Sequence, residues 1–442
     1  MSKKFIIIVL VILILGGLGF YFFKKSSTPQ DDTTSGGFSD FFNFGGEIGG
    51  TKSSKINEAT TTEPENIVDI TDQEEVPVVA TTELIKKLQK ITSLNVAGAT
   101  VVWKTRNIAP EIINAKTKKP ETEEFLSILY GEKGTGNIFE RDLNAQNSLE
   151  IEKRIVISNI PETEKAIFLN NGKQVILQYA KQNSASKTGF EIESFLGNIP
   201  TNTVGDNFFS QEIEGLFMDK NIYDISILKD KIFYLVENSS GVSGYVFTPA
   251  SKTKSLVFSS PFKGFVSQFI SDKSILLSTK ATSNLKSFVY TIDTGTKTYK
   301  KVLGGENGLV ALSSPGQKII AISDNTLALK YYDTTLRESS PAGTKTIASK
   351  CAWSQKDGAV LFCAAPRTIT SQAFPDNWYQ GLISFNDSFW KLNSKTGASE
   401  VLFDPVDFDI EIDGQKLFLD DKESRLFFIN KKDGSLWMYD LS

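Results

Sequence analysis

Ile222-Tyr-Asp-Ile-Ser-Ile-Leu228, Lys231-Ile-Phe-Tyr-Leu-Val236, Gly244-Tyr-Val-Phe-Thr248 and Leu256-Val-Phe-Ser259 are four short runs separated by Lys-Asp, Ser-Gly and Pro-Ala-Ser turns. β-Branched and aromatic residues fill the runs, and each is too short for an ordinary helix, so they read as one antiparallel sheet. The same shape recurs along the chain. A first unit spans Val101 to Ser158, and a second spans Ala166 to Leu196 with three strands visible. A fourth spans Phe265 to Leu303, and a fifth spans Leu309 to Ala348, its last strand at Thr344 to Ala348. A sixth spans Cys351 to Phe403, and a seventh spans Leu417 to Leu441, again with three strands.

Four short antiparallel strands recurring every ~40–50 residues is the pattern of β-propeller blades. The expected fold is therefore all-β, a propeller of seven blades. The strand missing from the last blade is expected near Ser93 to Ala97, where it closes the ring and leaves no open edge. A long β-helix or two tandem sandwiches would produce similar run lengths and stay open as alternatives.

Ahead of the repeats lie two segments of other character. Phe5 to Phe23 carries no charge over nineteen residues, which at ~1.5 Å per residue matches a bilayer core of ~30 Å. It reads as a single membrane span within residues 1–25. A cleaved signal peptide fits less well, because the run exceeds an ordinary signal core and Lys24-Lys25 follows it without a small-residue cleavage site. Lys3, Lys4 and the terminal amine place the N-terminus inside and the body outside. Residues 26–82 hold two Lys against eleven Asp and Glu and are rich in Thr and Gly, the composition of a disordered tether. Within it, Phe38, Phe41, Phe42 and Phe44 form either a short docking motif or a membrane-adsorbing cluster. Glu83 to Ile91 puts Leu84, Ile85, Leu88 and Ile91 on one helical stripe, so a short helix is expected to lead the propeller of residues 83–442.

The net charge is −4, of which the first 25 residues give +4 and the tether −9, leaving about +1 for the propeller. Such a balance gives no footprint for nucleic acid. Histidine is absent, which removes the commonest general base and the Ser-His and Cys-His nucleophile pairs. With two cysteines the chain has too few for a zinc cluster, and nothing in it calls for a metal or cofactor.

The residues Val96-Ala-Gly-Ala99, Lys350-Cys-Ala-Trp-Ser354, Phe374-Pro-Asp-Asn-Trp-Tyr-Gln-Gly381 and Phe428-Ile-Asn-Lys-Lys-Asp-Gly-Ser-Leu-Trp437 carry a resemblance. They are similar to a family of single-span, membrane-anchored β-propeller proteins, WD40/TolB-like in architecture, from small-genome candidate-phylum bacteria. The resemblance covers most of Leu94 to Leu441. It implies the fold and anchoring in a bacterial cytoplasmic membrane, and offers no catalytic residues to carry over. Neither the WD-dipeptide blade nor the sialidase Asp box is present.

Three constellations stand out. Cys351 and Cys363 lie equidistant from Asp357; with Lys356-Asp357-Gly358 as a three-residue hairpin loop and Gly358 left-handed, they face each other as a disulfide or as two buried thiols. The sixth unit inserts an aromatic loop, Thr370 to Leu382, offering Phe374, Asp376, Asn377, Trp378, Tyr379 and Gln380, with Lys280, Ser283 and Asn284 of the fourth unit expected to border the same face. Exposed, these side chains would stack on and hydrogen-bond a protein or surface polysaccharide; alternatively the aromatics pack back on the sixth blade. Asp409-Ile-Glu-Ile-Asp-Gly414 with Asp420 partly matches a calcium loop, but the alternation of Phe408, Ile410 and Ile412 favours a strand with an acidic outer face. Gly131 to Gly136 reads as a hairpin connection. The functional expectation is an extracytoplasmic binding or scaffold module that is not an enzyme. Its alternatives are a carboxylate-dependent glycosidase, with Asp376 and Asp387 the nearest candidates, and an envelope-assembly subunit.

Overall fold

A computed structural model describes residues 87–107, 121–144, 152–158, 160–184, 189–200, 211–370 and 373–442. The expected span at Phe5 to Phe23, the tether and residues 83–86 lie outside these. Among the described residues no helix is long and apolar enough to cross a membrane.

Seven sheets, each with four antiparallel strands, form a seven-bladed β-propeller, and Gln211–Glu212 adds a short parallel strand to the outer edge of the first. The inner strands, in blade order, are Val96–Asn107, Thr163–Leu169, Ile222–Leu228, Phe265–Ser271, Val310–Ser313, Cys351–Trp353 and Gly414–Leu419. Because the second strand of each blade has neighbouring blades on both sides, both of its faces are buried, as at Lys231–Asn238 and Arg425–Asn430. Seven apolar clusters fill the seven junctions between blades, and the one joining Phe427 and Ile429 of blade 7 to Leu126 and Ile128 of blade 1 closes the ring.

Closure comes from the N-terminal side, but not from the expected residues. Leu88–Thr92 pairs antiparallel with Leu436–Asp440 and completes blade 7. The helix read over Glu83 to Ile91 is thus overturned for its described part. Leu88 and Ile91 point to opposite faces of a strand and enter different clusters, Leu88 between blades 6 and 7 and Ile91 between blades 7 and 1. A strand buried on both faces mimics the i, i+3 spacing of a helical stripe. Two outer strands also depart from expectation. Blade 2 gains Glu214–Phe217, and the last strand of blade 5 lies at Glu338–Lys345 rather than Thr344 to Ala348. Both are mostly exposed and carry little apolar signal.

Gly98 is fixed by the junction of blades 1 and 2. A Cβ there would lie 1.8 Å from the carbonyl oxygen of Ala166, a backbone atom that cannot swing aside. Gly98→Ala is expected to cost about 2 kcal/mol or more. Thermal unfolding of the variant would check this, and an unchanged midpoint would remove the constraint.

Cys351 and Cys363 are directly paired and joined by a disulfide, with Cα atoms 4.1 Å apart. The connection between their strands is wider than the expected three residues. Ser354 N–H donates to Val360 O, Gly358 is not left-handed, and Glu423 of blade 7 pins the turn by accepting from Gln355 and Lys356 N–H. The strand expected over Phe408 to Ile412 is instead a 3-10 turn at Pro405–Phe408 and an extended segment, with Asp409 left-handed. Gly134 and Gly136 do occupy a hairpin connection, and Glu132 N–H donates to Asn137 O at 2.9 Å.

Strands alternate in direction, so the links between blades share one face with the connections from second to third strand. The turns from first to second and third to fourth strand occupy the opposite face.

Candidate functional site

The long connection of blade 6, between Pro366 and Asp387, lies on the link face. It contains a cis Phe374–Pro375 bond and one helical turn, Asp376–Tyr379. Phe374, Trp378 and Phe385 pack with Leu327 and Ile347 of the blade 5 region. Trp378 is 3% exposed and Tyr379 7%, so the expectation of exposed stacking aromatics is corrected. A loop of this length is ordered only by burying its own apolar side chains. It leans over blade 5 as far as blade 4, where Ser283 N–H donates to Asp376 Oδ2 at 2.6 Å. Gln380 and Asn284 are exposed and Asn377 is half-buried. The Lys280 side chain is also exposed, and Lys280 and Tyr379 line one recess of about 40 Å³.

Beneath the loop sits a buried charge cluster. Lys350, at the start of blade 6, contacts Asp387 Oδ2 at 2.8 Å and Asp413 directly, and all three side chains are inaccessible. Its ammonium lies 4.9 Å from the Trp378 ring and 5.0 Å from that of Phe385. Asp413 is richly solvated by protein: Trp378 Nε1–H, Ser384 Oγ–H and Phe385 N–H all donate to it. Asp387 accepts Gly414 N–H at 2.7 Å on Oδ2, while its Oδ1 is buried without a hydrogen-bond partner among the described residues. Burial opposes ionisation at both carboxyls. At Asp413 the Lys350 charge and the donated hydrogen bonds prevail and hold the group below the usual range. At Asp387 burial prevails, the Asp413 charge adds to it, and the group is pushed up to about 7. Lys350 is held above its ordinary value because the two carboxylates outweigh its burial.

Asp376 and Asp387 are therefore occupied by separate contacts, and the carboxyls that share a cation are Asp387 and Asp413. The calcium-loop residues are likewise scattered among structural roles. Asp413 serves Lys350, and Asp420 accepts Lys422 and Arg425 N–H in its own turn. Among the described residues no group of three or more acidic or cysteine side chains is arranged to hold a metal.

The inner strands of blades 1 to 5 and 7 line a channel of about 1170 Å³, and Ser349, Trp378 and Tyr379 form its wall at blade 6. Its apolar lining includes Val101, Phe168, Ile225 and Phe418, while Lys133, Lys165, Lys416 and Lys431 and the acids Glu164, Asp224 and Asp421 supply charge. Lys133 pairs with Glu164 at 2.9 Å. Burial, partly offset by Asp224, lowers Lys165, and the Lys280 charge lowers it further. Asp224 accepts Ser267 N–H at 2.8 Å and is raised by burial.

No family model matches the chain, and no curated protein matches it. Among solved structures, a chain of the mitotic checkpoint complex superposes with a TM-score of 0.44 at 10% identity, covering 88% of this chain and 99% of that one. TolB from Acinetobacter baumannii gives 0.36 at 13% identity, covering 77% of this chain and 79% of TolB. At such scores neither likeness bears on function, and the propeller stands on the strand pairing itself.

Sequence reasoning missed the Lys350 cluster and the channel lysines. A Lys directly ahead of an apolar strand and an Asp-Gly pair opening another were the available signals, but each also describes an ordinary exposed turn.

Proposed function

We propose that this protein is a membrane-tethered, extracytoplasmic binding module that presents the link face of its propeller to a protein or cell-surface polymer. The supporting observation is where large apolar side chains stay exposed outside the strands. Phe262, Leu285, Leu382 and Val406 are 74%, 65%, 69% and 38% exposed, and all lie on links between blades or second-to-third connections. Leu336, at 69%, is the counterpart on the opposite face. Apolar groups gathered on one rim, beside the exposed amides of Gln380 and Asn284, are the composition of a docking surface. The tether, read from residues 26–82, would give that face reach from the membrane.

Cross-linking mass spectrometry on the full chain in membranes of cells that express it tests this reading. Cross-links to partners are expected at link-face lysines such as Lys263 and Lys280. They are expected to disappear in Leu285→Ser with Leu382→Ser, and to persist in Leu336→Ser. Cross-links that map to the opposite face, or survive the double substitution, overturn it.

A further inference from the structure

Lys416 on the channel wall has its charge met at a distance, by Glu164, rather than by an ion pair among the described residues. Lys416 Nζ donates to Ala97 O at 3.2 Å, and among the described residues no carboxylate lies within salt-bridge distance of it. Of the neighbouring cations, Lys133 pairs directly with Glu164, the Asp224 charge supports Lys165, and Lys431 donates to Ile383 O. The four ammonium groups of Lys133, Lys165, Lys416 and Lys431 against the three carboxylates of Glu164, Asp224 and Asp421 leave about one positive charge uncompensated on the channel wall.

The backbone is bent to put Lys416 there. The pairing register of Gly414–Leu419 shifts between Gln415 and Phe418, and Lys416 itself has a φ of 51°, a left-handed conformation uncommon for a side chain of this size. Bulges of this kind re-aim side chains beside functional sites. Inner strands of blades 1, 2 and 3 carry shifts at Val96/Gly98, Thr163/Lys165 and Ile222/Asp224. Lys165 and Asp224 thus share the construction that turns Lys416 inward. The Lys416 side chain is exposed, but to the channel rather than to bulk solvent. Burial first, then the charges of Lys165 and Lys133, lower it to about 8 against the opposing pull of Glu164.

We propose that the channel is a binding site for a small organic anion, whose carboxylate or phosphate sits on Lys416 flanked by Lys165 and whose apolar body lies against Val101, Phe168 and Phe418. The volume, about 1170 Å³, somewhat exceeds the ~300–1,000 Å³ that holds a drug-sized molecule, so a small anion fits with room for water. Apolar walls with a few convergent polar groups are what such a ligand requires, and the oxyanion supplies the missing counter-charge. This inference concerns the channel interior and does not depend on docking at the rim.

Isothermal titration calorimetry on the full chain in detergent tests it with benzoate and phenyl phosphate, using benzyl alcohol as the neutral control. Both anions are expected to bind and the alcohol to bind at least tenfold more weakly; the arm with the higher affinity identifies carboxylate or phosphate as the preferred group. Inorganic phosphate tests whether the apolar body is needed and is expected to bind more weakly than phenyl phosphate. Lys416→Met is expected to weaken the anions by roughly tenfold or more. Lys416→Arg is expected to retain binding, and Lys300→Met, on an exposed outer strand, to change nothing.

The pH profile gives an independent readout. Lys133, Lys165, Lys431, Glu164, Asp224 and Asp421 also line the channel; burial lowers Lys165 and Lys431 as well and raises Asp224, while Lys416 is lowered to about 8, so the Lys416→Arg comparison assigns the titration. Anion affinity should be full below that pH and fall as pH rises through it, and the loss should be blunted in Lys416→Arg, which stays protonated. Equal affinity for benzyl alcohol and benzoate, or unchanged affinity in Lys416→Met, overturns the proposal. Loss in Lys416→Arg and Lys416→Met alike, with both folded by circular dichroism, overturns the assignment of the charge as the recognised feature.

Discussion

Lys350→Met is expected to lower the unfolding free energy by about 3–5 kcal/mol, among the largest losses from any single side chain in the propeller. The reason is asymmetry between making and breaking a buried ion cluster. Lys350, Asp387 and Asp413 are all inaccessible, so none can turn to water when a partner is removed. Met matches the length of the Lys stem and keeps most of its contacts with the Trp378 and Phe385 rings, so packing is not the main loss. What remains are two carboxyls facing each other in a low-dielectric interior, both driven toward the protonated form. Urea unfolding followed by tryptophan fluorescence measures the effect. A loss below about 1 kcal/mol would mean the cluster is dispensable to stability. If charge imbalance is the cause, Lys350→Met combined with Asp413→Asn should lose less than the sum of the two single substitutions.

That cluster also shows where a sequence is legible and where it is not. The blades were readable because their second strands are uninterrupted apolar runs such as Lys231–Asn238 and Arg425–Asn430, buried on both sides by neighbouring blades. Outer strands such as Glu214–Phe217 were not, since an exposed edge imposes no composition. The strand Leu88–Thr92 was readable as apolar but not as β, because only the open edge of Leu436–Asp440 decides its conformation. The same holds for function. The aromatic loop was correctly singled out as unusual, yet its Trp378 faces inward to satisfy Asp413, a residue 35 positions away that no local pattern links to it. Lys416 reads as a surface residue in the sequence and faces the channel only through a bulge.

The two carboxyls of the cluster should respond to substitution in opposite ways, and their difference should depend on pH. Asp413→Asn is expected to cost about 3 kcal/mol at any pH above 5, because it removes the ionised partner of Lys350 and puts an amide donor where Trp378 Nε1–H, Ser384 Oγ–H and Phe385 N–H already converge. Asp387→Asn is expected to cost far less, since burial already pushes this carboxyl up to about 7 and its Oδ1 has no partner to lose among the described residues. The sign of the pH effect follows from proton binding. An unfolded Asp titrates near ~3.9, so between about pH 4 and 7 the folded protein holds a proton at Asp387 that the unfolded chain does not. The stability from this group is therefore present in full below pH ~4 and is lost as pH rises through about 7. Asp413, held low by Lys350, works in the other direction, its contribution being lost only in stronger acid. Between about pH 5 and 8 the wild-type protein should lose on the order of 2 kcal/mol relative to Asp387→Asn, and the two stability curves should converge or cross near the upper end of that window. Parallel curves for wild type and Asp387→Asn across this range would show that Asp387 is ionised throughout. The Lys350 ammonium would then balance two full negative charges.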